Sequence, residues 1–546
     1  MRYRIALNHD RSGNSCAGKR IPATGRALAF AMALALCVGF ASVDAQAIAP
    51  DEPLCTFHLT PNVGMACGKH ELDLTFTSRM RTEFWDAFAG SNDTFFGWRN
   101  RLGARYNYDE AVILFAEFQD ARIWKLGPDT SGVGAVYQGF SNRKEESKAS
   151  SSKMRQYWAE IRPIEGLYLR GGRHDIKLGT QAMYKEGNWK YLKIKRLSQR
   201  MVGTVGWTNV ERSNDGVSIG YDWNGYDFYG FAAKPTTGVF AHKDDYRTQK
   251  DIIYGGLSVT AKRGTWFKNT EIRPFFLGYR DKRHLGGSKK VEVYTLGFSA
   301  LGIYPVGPGN FDVLLWGAGQ AGRFDGDSHL AYAAILEAGY QLTDVWSKPW
   351  LRFGVNFASG DGSGDRHNTF FNMLPTNHLY YGFADQLAFQ NLVDIVLQLK
   401  FQPHERVGIN FMFHQFYLAK RNDDQYFGTG AFRRDNFGYG AGASGGDNNF
   451  AQEIDIVTSV KIYQGVTMLA GYSHLLGNDV IKPEERRHEE QDGRPLRLPA
   501  VQPHVLGTRP LGRTPATNTA RVGISFRRGR STIRRAPAES TGAAPS

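Results

Sequence analysis

"RNRLGARYNYD", residues 99–109, decides the fold, because its side chains alternate without a break. The odd positions are polar or glycine and include Arg99, Arg101 and Arg105. Leucine, alanine and two tyrosines take most of the even positions. A period of two predicts a β-strand with two unlike faces. In a soluble sandwich the apolar face would pack on a core. In an outer-membrane barrel it would contact lipid, and the arginines would line the lumen.

The start of the chain bears on this choice. Residues 1–26 are polar and basic, the short run "ALAFAMALALCVGFASV" fills 27–43, and "AQA" follows at 45–47. This order predicts a secretory signal peptide that is cut after Ala47. The run is shorter than the roughly 20 apolar residues of a membrane-spanning helix, and the sequence contains no other long apolar run. An exported chain of this kind would meet a membrane only as a barrel.

Composition fits an exported β-protein that binds anions. The 546 residues include 62 Gly, 25 Tyr, 35 Phe and 11 Trp. Without residues 1–47 the chain keeps 61 Lys and Arg against 51 Asp and Glu, a net charge of +10. Such an excess favours an acidic polymer or lipopolysaccharide as a partner, and export argues against nucleic acid. Only Cys55 and Cys67 remain after cleavage, and they could form a disulfide or stay free thiols.

Eighteen alternating segments follow one another along the chain. They are 71–83, 98–108, 110–122, 153–162, 165–176, 215–222, 226–233, 250–261, 269–280, 290–303, 310–322, 330–342, 349–358, 390–401, 405–419, 450–462, 465–476 and 517–527. Short turns between them alternate with longer connections, the longest being 123–152, 177–214, 359–389, 420–449 and 477–516. Short periplasmic turns and long extracellular loops are typical of outer-membrane barrels.

The sequence therefore predicts an all-β fold, a transmembrane antiparallel barrel of eighteen strands. The domain boundaries follow from it: a signal peptide (1–47), a periplasmic lead-in (48–70), the barrel (71–527) and a disordered basic tail (528–546). A final strand with Phe526 near its end suits recognition by the outer-membrane assembly machinery.

Alternation also selects the residues that would face the lumen. The strand patterns place Arg101, Arg105, Arg352, Asp394, Lys400, Glu453, Asp455 and Arg521 on the polar face. Arg170 and Arg173 are three apart, so a regular strand would put them on opposite faces, whereas a bulge at Gly171–Gly172 would turn both inward. These charges could form a selective path for anions, or they could satisfy one another inside a water-filled lumen.

Three other motifs carry weaker predictions. Ser218 in "GVSIG" lies within a strand, where a nucleophile elbow is not expected. Asp361 and Asp365 in "SGDGSGD" are weak calcium candidates in a loop that is more simply a solvated one. "KEGNWKYLKIKRLSQR", residues 185–200, would form a constriction if it folds into the pore, or would contact lipopolysaccharide phosphate as a surface loop. The sequence predicts no cofactor and no firm metal site.

Several long stretches resemble the alginate-export outer-membrane family. They include "RGGRHDIKLGTQ", "WTNVERSNDGV", "QEIDIVTSVKIYQGVTMLAGYSH" and the region that begins "FFNMLPTNHLYYGFADQLAFQNLVDIV", and the likeness runs from about 71 to 527. The resemblance implies a monomeric eighteen-stranded barrel whose arginine-rich pore passes an acidic polysaccharide. It also implies that Arg155, which opens "RQYWAEI", is a pore arginine. Gln156 stands where the family often has Glu, so the resemblance leaves the identity of the polysaccharide open.

The function predicted from the sequence is passive export of an anionic, alginate-like polysaccharide through the outer membrane. Periplasmic export proteins would feed the channel, and lipid and lipopolysaccharide would surround it. A porin for small anionic solutes is the nearest alternative. An outer-membrane lipase or deacylase would need a Ser–His pair on neighbouring strands, and no convincing one is evident in the sequence. A structural or adhesin barrel with a closed lumen is the remaining alternative.

Overall fold

The structure is a computed structural model, and it describes residues 4–5, 56–59, 62–67, 69–86, 92–126, 137, 148–242, 246–285, 289–362, 364–428 and 437–478. Strands dominate these residues. In chain order they are β1 (Arg4–Ile5), β2 (Thr56–Leu59), β3 (Asn62–Cys67), β4 (His70–Asp86), β5 (Asn92–Tyr108), β6 (Val112–Trp124), β7 (Lys148–Ile161), β8 (Leu167–His174), β9 (Asn214–Trp223), β10 (Tyr226–Pro235), β11 (Ile252–Ala261) and β12 (Thr270–Asp281).

The second half continues in the same way. Its strands are β13 (Val291–Val306), β14 (Gly309–Phe324), β15 (Asp327–Leu342), β16 (Trp350–Ala358), β17 (Arg366–His367), β18 (Leu392–His404), β19 (Val407–Leu418), β20 (Gln425–Tyr426), β21 (Ala441–Gly442), β22 (Asn449–Tyr463) and β23 (Val466–Gly477). The helical elements are α1 (Gly187–Leu192), a π-helical turn (Lys193–Leu197) and a 3₁₀ turn (Asn377–Leu379). No helix among the described residues is long and apolar enough to cross a membrane.

Antiparallel pairing joins the long strands into a closed ring. Each strand from β4 to β16 pairs with the next, and the ring continues through β18, β19, β22 and β23. The short strand β2 pairs with β23 on one side and with β4 on the other, which makes eighteen ring members. The predicted antiparallel barrel is confirmed.

Seventeen of the eighteen predicted strands occur, with ends that differ by a few residues. The eighteenth, 517–527, lies outside the described residues, as does most of the predicted signal peptide and all of the tail 528–546. The segment predicted as a lead-in contributes β2 and β3, and β3 forms a hairpin with β4 in which Cys67 lies opposite His70. Cys55 is outside the described residues, so the disulfide stays a prediction.

The two rims of the ring differ in the length of their connections, as the sequence predicted. One rim carries turns such as 109–111, 224–225, 307–308, 405–406 and 464–465. Apart from the connections 87–91 and 325–326, the opposite rim carries the longer connections, notably 175–213 and 359–391. In an outer-membrane barrel the first rim is periplasmic and the second is extracellular.

Candidate functional site: the channel lumen

The opening stretch has its apolar face outside. Leu102 is 51% exposed and Tyr108 40%, whereas Arg99 is 5% exposed. Arg101 lies on the same face as Arg99 and contacts Glu211, a residue of the connection between β8 and β9. Tyr108 ends β5 beside a short turn, where an aromatic girdle is expected. The apolar face therefore contacts lipid, and the arginines face inward.

Residues 175–213 form an inner segment that lies within the ring. This one segment contacts strands on widely separated parts of the wall: Arg99 of β5, Glu271 of β12, Glu337 of β15 and Gln398 of β18. A surface loop could not reach all four. The stretch 185–200 belongs to this segment. Of the two alternatives given for this stretch, a constriction in the pore and a surface loop, the structure shows the first.

The inner segment reaches the periplasmic end of the lumen. Lys193 Nζ lies 2.5 Å from Oε1 of Glu271, the second residue of β12. The ring of Tyr191 lies 5.2 Å from that of Trp350, the first residue of β16. Glu186 Oε1 is 2.6 Å from Nη2 of Arg263, which lies in a short turn. Part of the extracellular connection between β8 and β9 thus constricts the periplasmic mouth.

Glu211 occupies a site formed by three arginines of the wall. Arg99 Nη1 and Arg101 Nη2 lie 2.7 Å and 2.6 Å from Oε1, and Arg155 Nη2 lies 2.7 Å from Oε2. Burial alone would raise the pKa of Glu211, but the guanidinium charges of Arg101, Arg155 and Arg99 outweigh it and hold this pKa well below its usual range. The carboxylate therefore stays charged at neutral pH.

The same wall also binds backbone carbonyls of the inner segment. Arg79 Nη2 donates to the Thr208 carbonyl at 2.8 Å and Arg79 Nη1 donates to the Gly206 carbonyl at 3.1 Å. Arg81 donates to the carbonyl of Trp207. We call Arg79, Arg81, Arg99, Arg101 and Arg155 the arginine wall. It binds carbonyl and carboxylate oxygens of the stretch 206–211, and the guanidinium of Arg81 also lies 5.8 Å from the centre of the Trp207 ring.

Glu337 of β15 is the centre of a second cluster. Arg196 Nη2 lies 2.6 Å from its Oε1, Arg200 Nη2 lies 2.9 Å from the same oxygen, and Arg352 Nη1 lies 2.9 Å from Oε2. Here the polarity is reversed, since the inner segment supplies two cations and the wall supplies the anion. Arg352 also pairs with Asp312 at 2.9 Å. All these side chains are buried.

The wall of β18, β19 and β22 is acidic. Asp394 Oδ1 lies 2.9 Å from His414 Nδ1. The loop 359–391 docks here, because the Ala384 amide donates to Glu453 at 2.8 Å and the Phe383 amide donates to Asp455 at 3.2 Å. The described lumen thus has basic and acidic sectors rather than a uniform charge.

Most predicted lumen residues face inward and already have partners. Arg105 lies 3.5 Å from Asp73, Arg170 lies 2.5 Å from Glu160, and Arg155 also pairs with Glu117 and Asp175 at 2.7 Å. The Lys400 ammonium lies 4.2 Å from the centre of the Tyr191 ring, and no carboxylate of the described chain pairs with it. The roles of these residues in transport stay predictions.

The structure corrects the prediction that Arg173 faces the lumen. Strand β8 keeps a regular register against β7 and β9, so the bulge suggested at Gly171–Gly172 does not form. Arg170 lies opposite Glu160 on the inner face, and Arg173 lies on the outer face with Asp215, at 2.7 Å. A bulge does occur nearby, in β7, where Arg155 is the extra residue opposite the Glu117–Phe118 step of β6.

Two weak metal candidates and one lumen candidate remain. Asp361 Oδ1 accepts hydrogen bonds from the Asn368 amide and side chain, both at 3.2 Å, and Asp365 is exposed. Among the described residues no group of three His, Cys, Asp or Glu side chains could hold a metal ion. Arg521 lies outside the described residues.

The lumen also contains residues that the sequence reasoning missed. Arg79 and Arg81 alternate in "TSRMRTE" (77–83) and could have been found by the pattern that selected Arg101. Glu337 alternates likewise in β15. Glu211, Arg196 and Arg200 belong to an irregular connection, where no periodicity indicates which way a side chain points.

A Ser–His pair does occur on neighbouring strands. His174 Nε2 lies 2.7 Å from Ser218 Oγ, and His174 Nδ1 faces the Gly172 carbonyl at 3.1 Å. Both side chains are buried on the inner face. The histidine is held by a carbonyl rather than by a carboxylate, and the serine lies within a strand instead of a nucleophile elbow. The pair is therefore explained by packing.

Comparison with known proteins gives a family and a set of barrels. The family described as "Alginate export" matches residues 70–493. No curated protein is similar enough to count as a match.

Several solved structures match about three quarters of this chain. OccAB2 of Acinetobacter baumannii matches with a TM-score of 0.49 and 12% identity, over 75% of this chain and 92% of that one. The outer membrane protein opdK of Pseudomonas aeruginosa has a TM-score of 0.45 and 7% identity, over 75% and 95%. A BenF-like porin from Pseudomonas fluorescens Pf-5 has a TM-score of 0.46 and 9% identity, over 75% and 94%. All three have TM-scores below 0.5, so these matches say nothing about the function of this chain.

Proposed function

The chain belongs to the alginate export family, and on that basis we propose that its barrel lets an acidic polysaccharide leave the cell passively. The chain is a channel of the bacterial outer membrane. Transport here is diffusion along a charged path, without a catalytic step. Periplasmic export proteins would deliver the polymer, and a single barrel would suffice to pass it.

The arginine wall is the observation that carries this proposal. It already binds one carboxylate, that of Glu211, with N–O distances of 2.6–2.7 Å from three guanidinium groups. A uronate residue presents the same carboxylate group. Charge-assisted bonds of this kind are the strong ones in proteins, and a guanidinium can grip a carboxylate with two parallel bonds.

The carboxylates that lie among the lumen arginines are consistent with a channel that must release the polymer after binding it. A polymer that leaves water needs replacements for its hydration and counterions, and a row of guanidinium groups supplies them. If every arginine were unpaired, the polymer would bind too tightly to move on. Carboxylates such as Glu117, Asp175 and Glu160 pair with these arginines and weaken each site. Binding would then be spread over many weak sites.

Anion selectivity tests the charged path directly. Arg101→Ser with Arg105→Ser should lower the anion preference of the channel, measured as the reversal potential in planar bilayers across a salt gradient. The effect should be largest at low ionic strength, because the Debye length is about 10 Å at 0.1 M. Arg173→Ser removes one positive charge from the outer face and serves as the control for each single replacement, with no expected change.

An unchanged reversal potential in the double variant, in protein that still assembles as a barrel, would mean that these arginines do not line the conducting path. A channel that prefers small anions but is never blocked by an acidic oligosaccharide would instead support a porin for small anionic solutes.

A further inference from the structure

A row of charged side chains crosses the outer face of the barrel beside its extracellular rim. Arg280 of β12 lies opposite Glu292 of β13, which in turn lies opposite Arg323 of β14. Both arginines are the second-last residue of their strand. Neighbouring strands are about 4.8 Å apart, so the Cα atoms of the two arginines are roughly 10 Å apart. We call Arg280, Glu292 and Arg323 the outer row.

The outer row faces away from the lumen. The Arg280 side chain is 47% exposed, whereas Tyr279 and Asp281 on either side of it are buried. Glu292 is 41% exposed, and Arg323 is exposed as well. An outward-facing row at the extracellular end of a membrane barrel meets the headgroups of the outer leaflet.

Cations outnumber carboxylates around the outer row. Arg280 Nε lies 3.7 Å from Glu292 Oε2, and no carboxylate of the described chain pairs with Arg323. In the connection 282–290, Arg283 is already paired with Asp281 at 2.7 Å. Three more cations and two carboxylates are exposed on the adjoining rim: Lys282, Lys289, Lys290, Asp325 and Asp327. Five remaining cations therefore stand against three carboxylates, and this part of the surface attracts anions.

Below the outer row, towards the middle of the membrane, the outer face is apolar and contains a groove. Ala321 and Gly319 of β14 form its floor, and a Cβ atom added to Gly319 would meet no atom within 4 Å. Exposed side chains of β13 and β15 lie directly opposite this floor and form the two sides: Tyr294, Leu296, Leu330 and Tyr332. Arg323 lies at the upper end of this surface, which we call the β14 groove.

We propose that strands β12–β15 bind a phosphorylated, acylated glycolipid of the outer leaflet, the lipid A part of lipopolysaccharide. Its two phosphates bind Arg280 and Arg323, and one of its acyl chains lies in the β14 groove. The site faces the membrane and not the lumen, so this inference goes beyond the proposed function and does not depend on it.

The chemistry of lipid A matches both parts of this surface. Lipid A carries two phosphates at opposite ends of an acylated disaccharide, and a guanidinium can bind a phosphate through two parallel hydrogen bonds. Glu292 stands between the arginines and accepts a hydrogen bond from the Tyr294 hydroxyl at 2.6 Å. Its distance of 3.7 Å from Arg280 is beyond a normal hydrogen bond, so the donors of that guanidinium stay available to a phosphate.

Other arginines of the outer face are more tightly paired. Arg122 Nε lies 3.0 Å from Asp120 Oδ2, and Arg173 Nε lies 2.7 Å from Asp215 Oδ1. Each of these guanidinium groups has a carboxylate of its own within hydrogen-bond distance. The two arginines therefore provide a matched comparison for Arg280 and Arg323, with the same number of charges on the same face.

Native mass spectrometry of the full-length protein, titrated with diphosphorylated lipid A, measures the affinity. Arg280→Ser with Arg323→Ser should raise the dissociation constant about thirtyfold, which corresponds to roughly 2 kcal/mol. Arg280→Lys with Arg323→Lys keeps both charges and should lose much less. Arg122→Ser with Arg173→Ser removes two charges from the same face and should change the dissociation constant little.

Further ligands and one further variant separate the phosphates from the acyl chain. Lipid A with a single phosphate, and phosphatidylglycerol, should bind the parent protein more weakly, because each occupies only one arginine at a time. Inorganic phosphate in large excess should not displace lipid A, since it has no acyl chain. Gly319→Trp fills the β14 groove without changing a charge, and it should weaken lipid A binding several-fold.

Equal affinity in the parent and the Arg280→Ser, Arg323→Ser protein would overturn the proposal, as would an equal loss in the Arg122→Ser, Arg173→Ser control. Phosphatidylglycerol that binds as tightly as lipid A would also overturn it, because the surface would then attract any anionic lipid. Unchanged affinity in Gly319→Trp would contradict the acyl-chain contact. Gly319→Trp and the comparison of ligands decide the question if the serine variants assemble poorly. The reversal potential of the channel should equal that of the parent in every variant, since none of them alters the lumen.

Discussion

Removing the inner segment should raise the single-channel conductance several-fold. His174 and Asn214 are cross-strand partners at the ends of β8 and β9, so an Asn-Gly turn can replace residues 175–213 as a tight hairpin. The segment crosses the ring near its periplasmic mouth, and a ring of about 18 strands is wide enough for an aqueous channel once it is removed. The loop 359–391 remains, so the lumen would still be narrower than an empty ring.

A second hairpin provides the control. Asp281 and Val291 are cross-strand partners in the same way, so an Asn-Gly turn can replace residues 282–290 between β12 and β13. This change should leave the conductance near that of the parent. Similar conductance in the 175–213 deletion and the parent protein would show that ions pass the segment freely. The interpretation of the inner segment as a constriction would then be wrong.

Glu337→Gln should lower the free energy of unfolding by about 3–5 kcal/mol, because it leaves buried guanidinium groups without their anion. Three arginines contact Glu337 at 2.6–2.9 Å, and only one of them, Arg352, has a second carboxylate among the described contacts. Urea unfolding in lipid vesicles, followed by tryptophan fluorescence, measures the change.

Glu292→Gln is the matched control for that measurement. Glu292 lies 3.7 Å from Arg280, and both side chains are more than 40% exposed. Exposed pairs contribute about 0–1 kcal/mol, so this variant should unfold almost as the parent does. A Glu337→Gln protein that unfolds like the control would mean that the second cluster contributes little to holding the segment.

The barrel could be predicted from the sequence because its signal is local. Alternation in stretches such as 99–109 and 350–358 reports the two faces of a strand directly, since lipid and lumen demand different side chains at every second position. Connection lengths then separated the two rims. These features need no knowledge of which strand lies beside which.

The contents of the lumen could be predicted only in part. Alternation placed Arg101, Arg352 and Asp394 on the inner face, but it could not give their partners. Arg101 pairs with Glu211, which lies far away in sequence in an irregular connection. Arg352 pairs with Glu337 of the neighbouring strand β15, and Glu337 in turn binds Arg196 and Arg200 of that connection. Arg173 was misassigned for a related reason: two adjacent glycines permit a bulge without requiring one, and the regular register on both sides of β8 decided against it.

Release of a labelled polymer from vesicles tests the central claim most directly. Vesicles that contain the protein would be loaded with a fluorescent oligogalacturonate, or with a neutral dextran of the same hydrodynamic size. The account predicts that the oligogalacturonate leaves and the dextran stays, and that neither leaves protein-free vesicles. Equal release of both polymers, or retention of the oligogalacturonate while small anions pass, would contradict a channel for an acidic polysaccharide.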